Sequence, residues 1–482
     1  MTLSQEKINQ LFSYLNTERL KPASRRDMNI LEAAESDRGR VINSAAFRRL
    51  QQKAQVFPLE ANASVRSRLT HSFEVSQIGR YIAQSIIKNL EEAKTDDGSQ
   101  IKLPSYETIT AFVSTVETAC LLHDIGNPPF GHLGEAAIQQ WFTKLKSEFQ
   151  ISSNDLPSDD FSKIIETDLS KFDGNPQGFR IVRLLSGNDE HGLNLTCTLL
   201  LSIVKYPYTI DNIKEGKKIG LFKTCLNSYE EACSKIGWAK AKPFPYMQIM
   251  DIADEIAYSM SDLEDAIEKK IITEDKLLSD FKAFCEKTEN NIKVNEVFSY
   301  SLTELQERKF LAFKTSIIHK AVKEVAKNYS DQLDQILEGK KVDLFKNDSS
   351  IKLLLDRVKE YAISDIYSHE SAEKIELAGR NIIQGLLRHY ETLLRLPYSK
   401  FSALVNGKNI EGKSPKKLGL DFELRLFRRL PSKQVDKYKF NSDKEPNLEL
   451  IHRSHLIVDY ISGMTDDFAL EMFQLLEGIR IQ

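Results

Sequence analysis

The chain has 482 residues, 41% of them hydrophobic and 28% charged, and a net charge of −3. That is the balance of a soluble globular protein with room for a large core or several domains, and it offers no overall basic field for a nucleic acid. No apolar run reaches about eighteen residues and the first twenty lack a signal-peptide core, so no membrane span is expected; five cysteines without metal-site spacing read as free thiols in a reducing cytoplasm.

In chain order, apolar residues at helical spacing predict helices over Lys7–Tyr14, Ser72–Leu90, Tyr106–Leu122, Glu135–Phe149, Leu193–Val204, Tyr246–Ile271, Glu304–Lys327, Ile351–Ile366 and Glu373–Leu394. Leu420–Leu426 and Lys437–Phe440 read as short strands, and Ala93–Pro104, Ser152–Asp160 and Asn406–Lys416 as surface connections. The expected class is mainly α. No repeat or low-complexity linker is visible, so any domains interleave.

Three stretches carry chemistry. His71 opens the helix after Arg68-Leu69-Thr70, where the helix dipole disfavours imidazolium and keeps the ring neutral. His123-Asp124 falls in the last turn of the mostly buried helix from Tyr106, ended by Gly126-Asn127-Pro128-Pro129; a new helix near His132 puts His132 and Glu135 on one face. Further on, Asp254, Tyr258 and Asp262 repeat at i, i+4 and i+8 along one stripe. An unpaired carboxylate in apolar surroundings is costly, and a cation removes that cost. His71, His123, Asp124 and Asp254 together form a two-His, two-Asp set suited to a divalent metal with positions left for water and a substrate oxygen. Manganese, magnesium, iron, cobalt or nickel fits such an open site better than zinc.

These residues resemble the H…HD…D signature of the HD-domain metal-dependent phosphohydrolases. Longer strings are similar to the bacterial dGTPase family: Phe47-Arg48-Arg49-Leu50-Gln51, Gln55-Val56-Phe57-Pro58, Arg68-Leu69-Thr70-His71-Ser72, His123 to His132, Phe172 to Gln177, Gly192 to Thr196, Lys205-Tyr206-Pro207 and Asp459 to Asp466. The resemblance implies an HD-domain helical core with interleaved helical insertions and a helical C-terminal region. It divides the chain into an N-terminal segment (1–60) contributing to the active site, a phosphohydrolase core (61–275), and a C-terminal region (276–482) completing the nucleotide pocket and oligomer contacts.

It also implies hydrolysis of a dNTP, dGTP foremost, to a deoxynucleoside and inorganic triphosphate. On that pattern His132 transfers a proton at the 5′-oxygen, with nucleophilic attack as its alternative role, and Glu135 raises the ring's basicity. Gln55 and Val56 match the sugar-side pair, and Tyr258 and Asp262 the residues that close the sugar pocket. Arg68, Asn175, Lys205, Tyr206 and Lys218 match the triphosphate-binding set. Glu255 and Asn127-Pro128 depart from the vertebrate relatives, the first placing a carboxylate where those have a phosphate-side lysine. Glu376, in Lys374-Ile375-Glu376-Leu377-Ala378-Gly379, is the candidate for base recognition. Implied partners are a homo-oligomer (hexamer or tetramer), single-stranded DNA and an activating dNTP. The competing readings are another HD-superfamily nucleotide phosphohydrolase, or a regulatory protein binding single-stranded nucleic acid through the basic region from Arg425 to Lys433.

Overall fold

A computed structural model describes residues 3–480 except 26, 61, 96, 153–167, 188, 190, 210, 212–217, 288–296, 298–301 and 410; the connection expected at Ser152–Asp160 lies almost wholly outside the described residues. The described chain is helical throughout, and its β pairing is confined to isolated bridges such as Ala54 with Ser67. The helices that matter here are α1 (Gln5–Ser13), α2 (Ile30–Ile42), α3 (Arg68–Glu92), α4 (Tyr106–Leu122), α5 (Gly131–Ser152), α6 (Gly174–Arg180), α7 (Pro245–Glu268), α8 (Leu302–Asp331), α9 (Ser350–Tyr361), α10 (Glu370–Leu394), α11 (Ser432–Lys444), α12 (Glu449–Ser462) and α13 (Asp466–Leu476).

Local signals start these helices where side chains can satisfy the free N–H groups of the first turn. Ser67 and Thr70 close a capping box on α3, Ser105 caps α4 through Thr108 N, and Pro245 occupies the first turn of α7, where its missing N–H costs nothing. Packing then decides which way each faces. Helix α4 is buried on all sides from Ala111 to Leu122, held by α2, α3 and α7. Each fully buried side chain there, such as Phe112 or Val116, contributes roughly 1.5–3 kcal/mol.

Two apolar cores form. The first gathers α1 to α4 with α7, α8 and α9 around residues such as Ile8, Ile82, Phe112, Ile256, Val322 and Leu354. The second joins the start of α5 to the C-terminal helices through Phe130, Phe142, Phe172, Ile383, Leu387 and Ile457. The chain first crosses from one to the other at residues 123–130, the loop after α4. Helix α10 lies along α5 and α13 and closes the second core over that loop.

Two strand expectations are overturned. Leu420–Leu426 forms the N-cap and most of a helix, Asp421–Phe427, and Lys437–Phe440 lies inside α11. In both, short local alternation gives way to packing: Leu426, Phe427 and Leu430, and Val435 and Tyr438, reach the second core only at helical spacing. Pro431 and Ser432 start α11. The helix expected over Leu193–Val204 is shorter, Cys197–Ser202, because Thr196 caps it and Asn194 adopts a left-handed φ of 46°. Helix α8 carries a break at Lys309, φ 69°.

Candidate active site

Three helices of the first core deliver the buried centre. His71 sits in the first turns of α3, His123 caps the C-terminus of α4, and Asp254 lies midway along α7. His71 Nε2 stands 3.3 Å and His123 Nε2 3.4 Å from Asp254 Oδ1, and ligand atoms of all three fall within 4.8 Å of one another. His71 and His123 are 0% and 5% exposed and Asp254 22%, so the cluster is buried with Asp254 as its most accessible member. Asp124 stands beside the trio rather than within it. Its Oδ2 is 3.6 Å from His123 Nε2, and its carboxylate accepts hydrogen bonds from Arg68 and from Asn127 Nδ2.

The tautomer of His123 follows from its neighbour. Nδ1 lies 2.8 Å from the carbonyl of Cys120, which can only accept, so Nδ1 carries the proton. That aims the lone pair of Nε2, buried and without a hydrogen-bond partner, towards Asp254. A buried bare imidazole nitrogen and carboxylate oxygens at 3.3–3.6 Å fit a divalent cation, since ligands about 2.1 Å from one ion and at right angles lie about 3 Å apart. Charge agrees. Burial opposes ionisation of Asp124, yet Arg68, His123 and His71 hold its carboxyl well below the usual range; Asp254 is lowered against burial by His123 and His71. Burial favours the neutral ring of His71, but the hydrogen bond and charge of Asp254, with Asp124 and Asp262, raise its pKa.

His132 is placed differently. It stands at the start of α5 with its side chain 85% exposed, while Glu135 one turn on is 7% exposed. His132 Nδ1 donates to Glu135 Oε2 at 2.8 Å, and this bond raises the ring's pKa against the charges of Arg68 and Lys218. The other carboxylate oxygen of Glu135 accepts the N–H of Gly174 at 2.7 Å, a support the sequence did not signal. The His132 loop rests on α6 backbone to backbone: a Cβ on Gly126 would lie 2.0 Å from Gly174 O and 2.1 Å from Gly178 N, so only glycine fits.

The remaining sequence candidates surround these two groups. Lys218 pairs with Asp173 at 2.7 Å and Lys205 with Asp251 at 2.6 Å. Burial lowers the Lys205 pKa, but Asp251 and then Asp254 outweigh it and raise it. Tyr206 has Lys205 and Lys341 5.9 and 6.0 Å from its ring centre. Asn175 is committed to Asp173, its N–H and Nδ2 both donating to Oδ1. Gln55 Oε1 is buried with no partner, beside half-buried Val56. Asp262 is buried, accepts from the Tyr367 hydroxyl, and is pushed by burial up to about 6. Glu376 on α10 is half-buried and lies within electrostatic reach of His132. Two cations went unread in the sequence. Lys341 shares Asp251 with Lys205 at 2.8 Å, and Lys359 of α9 pairs with Glu255 and stands 5.8 Å from the Tyr258 ring centre. Asp251, one turn before Asp254, was the available signal for the first.

Among the described residues no helix is long and apolar enough to cross a membrane, and all five cysteines are buried and outside any disulfide. Residues 68–259 match the HD domain, a domain of metal-dependent phosphohydrolases. The deoxyguanosinetriphosphate triphosphohydrolase of Salmonella typhimurium is 35% identical over 495 residues, covering 93% of this chain and 94% of that protein. The proteins of the same name from Enterobacter sp. (strain 638) and Yersinia pestis (strain Pestoides F) are each 34% identical, covering 95% of this chain and 96% of each relative. With the HD residues gathered in one cluster and identity sustained from end to end, the chain belongs to the deoxyguanosinetriphosphate triphosphohydrolase family.

Proposed function

We propose that this protein hydrolyses deoxynucleoside triphosphates, dGTP foremost, to a deoxynucleoside and inorganic triphosphate. The observation that carries the reading is the bare, buried Nε2 of His123 facing Asp254 and His71, with the His132–Glu135 pair at the start of α5. His71, His123, Asp124 and Asp254 would hold a divalent ion, manganese or magnesium or another first-row metal such as cobalt, nickel or iron. When bound, such an ion supplies Lewis acidity at a phosphoryl oxygen and an acidified water.

The protein's own groups do the rest. His132, held protonated by Glu135, gives its proton to the departing 5′-oxygen, and Glu135 keeps the ring's other nitrogen turned towards substrate. Arg68, Asn175, Lys205, Tyr206 and Lys218 cradle the triphosphate, whose charge can replace the carboxylates Asp173 and Asp251 as partners of the two lysines. Gln55 Oε1 is free to accept a 3′-hydroxyl, and Val56, Tyr258 and Asp262 crowd the position of a 2′-hydroxyl. Glu376 would meet the base. A homo-oligomer, hexamer or tetramer, in the cytoplasm belongs to the same reading; Leu311, Ile363 and Leu377, 64–70% exposed, are side chains an interface would cover.

The test is product analysis. Each dNTP and GTP is incubated with the protein and Mn²⁺ or Mg²⁺, and both products are identified. Deoxyguanosine with intact triphosphate is expected; pyrophosphate or orthophosphate as the primary product overturns the reading.

A further inference from the structure

Asp466, the first residue of α13, belongs to the second core and is 3% exposed. Its two carboxylate oxygens serve two separate loops. Oδ2 accepts the N–H of Ala54 at 2.8 Å, and Oδ1 accepts the N–H of Phe130 at 3.0 Å. Ala54 directly precedes Gln55 and Val56; Phe130 lies two residues before His132. The three elements meeting at this carboxylate are more than 300 residues apart at the extremes, with separations of 412 and 336 residues along the chain.

Phe130 needs holding. Its φ is 61°, a left-handed conformation that costs a non-glycine residue energy unless its surroundings enforce it, and Gly131 follows at φ 56°. From the other side, α10 presses against its ring: a Cβ on Gly379 would lie 2.5 Å from Phe130 Cγ. Lys53, also buried, bridges the same parts, donating to Asn127 O at 2.6 Å and Ser462 O at 2.9 Å. Segment 53–55 is further tied to the entry of α3 by Arg68 N to Lys53 O at 2.8 Å and by the Ala54–Ser67 bridge.

We propose that Asp466 is a positioning residue that sets the sugar-side residues Gln55 and Val56 in register with the His132 loop. The proposal rests on the substrate reading above. Its chemistry is that of a two-oxygen acceptor: only a carboxylate takes both N–H groups at once, because the amide of asparagine replaces one acceptor oxygen with a donor. When the two loops lose their common anchor, the sugar and the proton donor no longer share one frame. The site then discriminates worse between deoxyribose and ribose as well as turning over more slowly.

The experiment measures kcat/KM for dGTP and GTP, with thermal stability, in wild type, Asp466→Asn, the smaller Asp466→Ser, and Thr465→Ala. Thr465 caps α13 at Phe468 N without touching either loop, so its variant reports loss of helix stability alone. Expected is a roughly tenfold fall in the dGTP-to-GTP preference for both Asp466 variants and none for Thr465→Ala. In a Val56→Ala background, Asp466→Asn should lower the preference little further. An unchanged preference in the Asp466 variants overturns the proposal, as does an equal loss in Thr465→Ala. Hydrogen exchange on the wild type gives a reading without substitution: corrected for their intrinsic rates, the amides of Ala54 and Phe130 share one opening free energy if Asp466 couples them, and different opening free energies overturn the coupling. A wild type that makes no triphosphate from dGTP refutes the substrate reading instead, a different outcome from an active wild type whose Asp466 variants keep their preference.

Discussion

The cluster of His71, His123 and Asp254 and the pair His132–Glu135, joined by the short loop after α4, are opposites in physics. The first is made by packed helices of one core and is buried, with the two imidazoles holding the Asp254 carboxyl low against its burial. The second stands in the first turns of α5, just after the loop that leaves that core, with an 85% exposed side chain steadied by one buried carboxylate and, beyond it, by a backbone N–H of α6. A group that must bind an ion needs desolvation and fixed geometry, and three packed helices provide both. A group that must meet substrate and exchange protons needs access, so its precision comes from the residues behind it.

Substitutions can break that contrast in a graded way. The largest effect is expected at the cluster. Asp254→Ala removes the carboxylate facing both imidazoles, and metal binding, followed by calorimetry with Mn²⁺, and turnover should both be abolished; near-normal turnover would refute the site. His132→Ala should lose roughly two to four decades of kcat while metal and nucleotide still bind, as for a lost proton donor. Retained binding with lost rate is what separates the two regions.

Glu135→Gln sharpens the comparison further. Glu135 is the main reason the His132 pKa is raised, so its loss lowers that pKa. A proton donor with a lower pKa is deprotonated sooner as pH rises, and the alkaline limb of the kcat–pH profile should move to lower pH. A limb that stays in place disproves the link. The smallest effect is expected far from both regions. Asn29→Ala removes the capping box that starts α2, Asn29 Oδ1 to Glu32 N at 2.8 Å, and should cost about 1 kcal/mol in a denaturant melt with kcat unchanged.

How much of this was written in the sequence differs by residue. The helices with long apolar periodicity, such as α3, α4 and α7, were legible because their buried stripes repeat over several turns. Leu420–Leu426 and Lys437–Phe440 were not, because a few alternating residues fit both periods and only contact with the second core chooses between them. The partnership of His132 with Glu135 was legible, since i,i+3 spacing on a helix places it. Gly174 N behind Glu135, Lys359 beside Glu255, and Asp466 between two loops had no local signal, being contacts across 39, 104 and over 300 residues.

The sequence by itself determined the helical class, the HD residues and their order, and the family they belong to, because periodicity and motif spacing are short-range properties. Only the tertiary structure decided that Asp124 is claimed by Arg68 and Asn127 while His123 Nε2 is left bare, and that the far end of the chain returns to anchor the loops around His132. The reason is physical: a buried polar group takes whichever partner the packed cores bring within hydrogen-bond reach, and chain distance does not enter that choice.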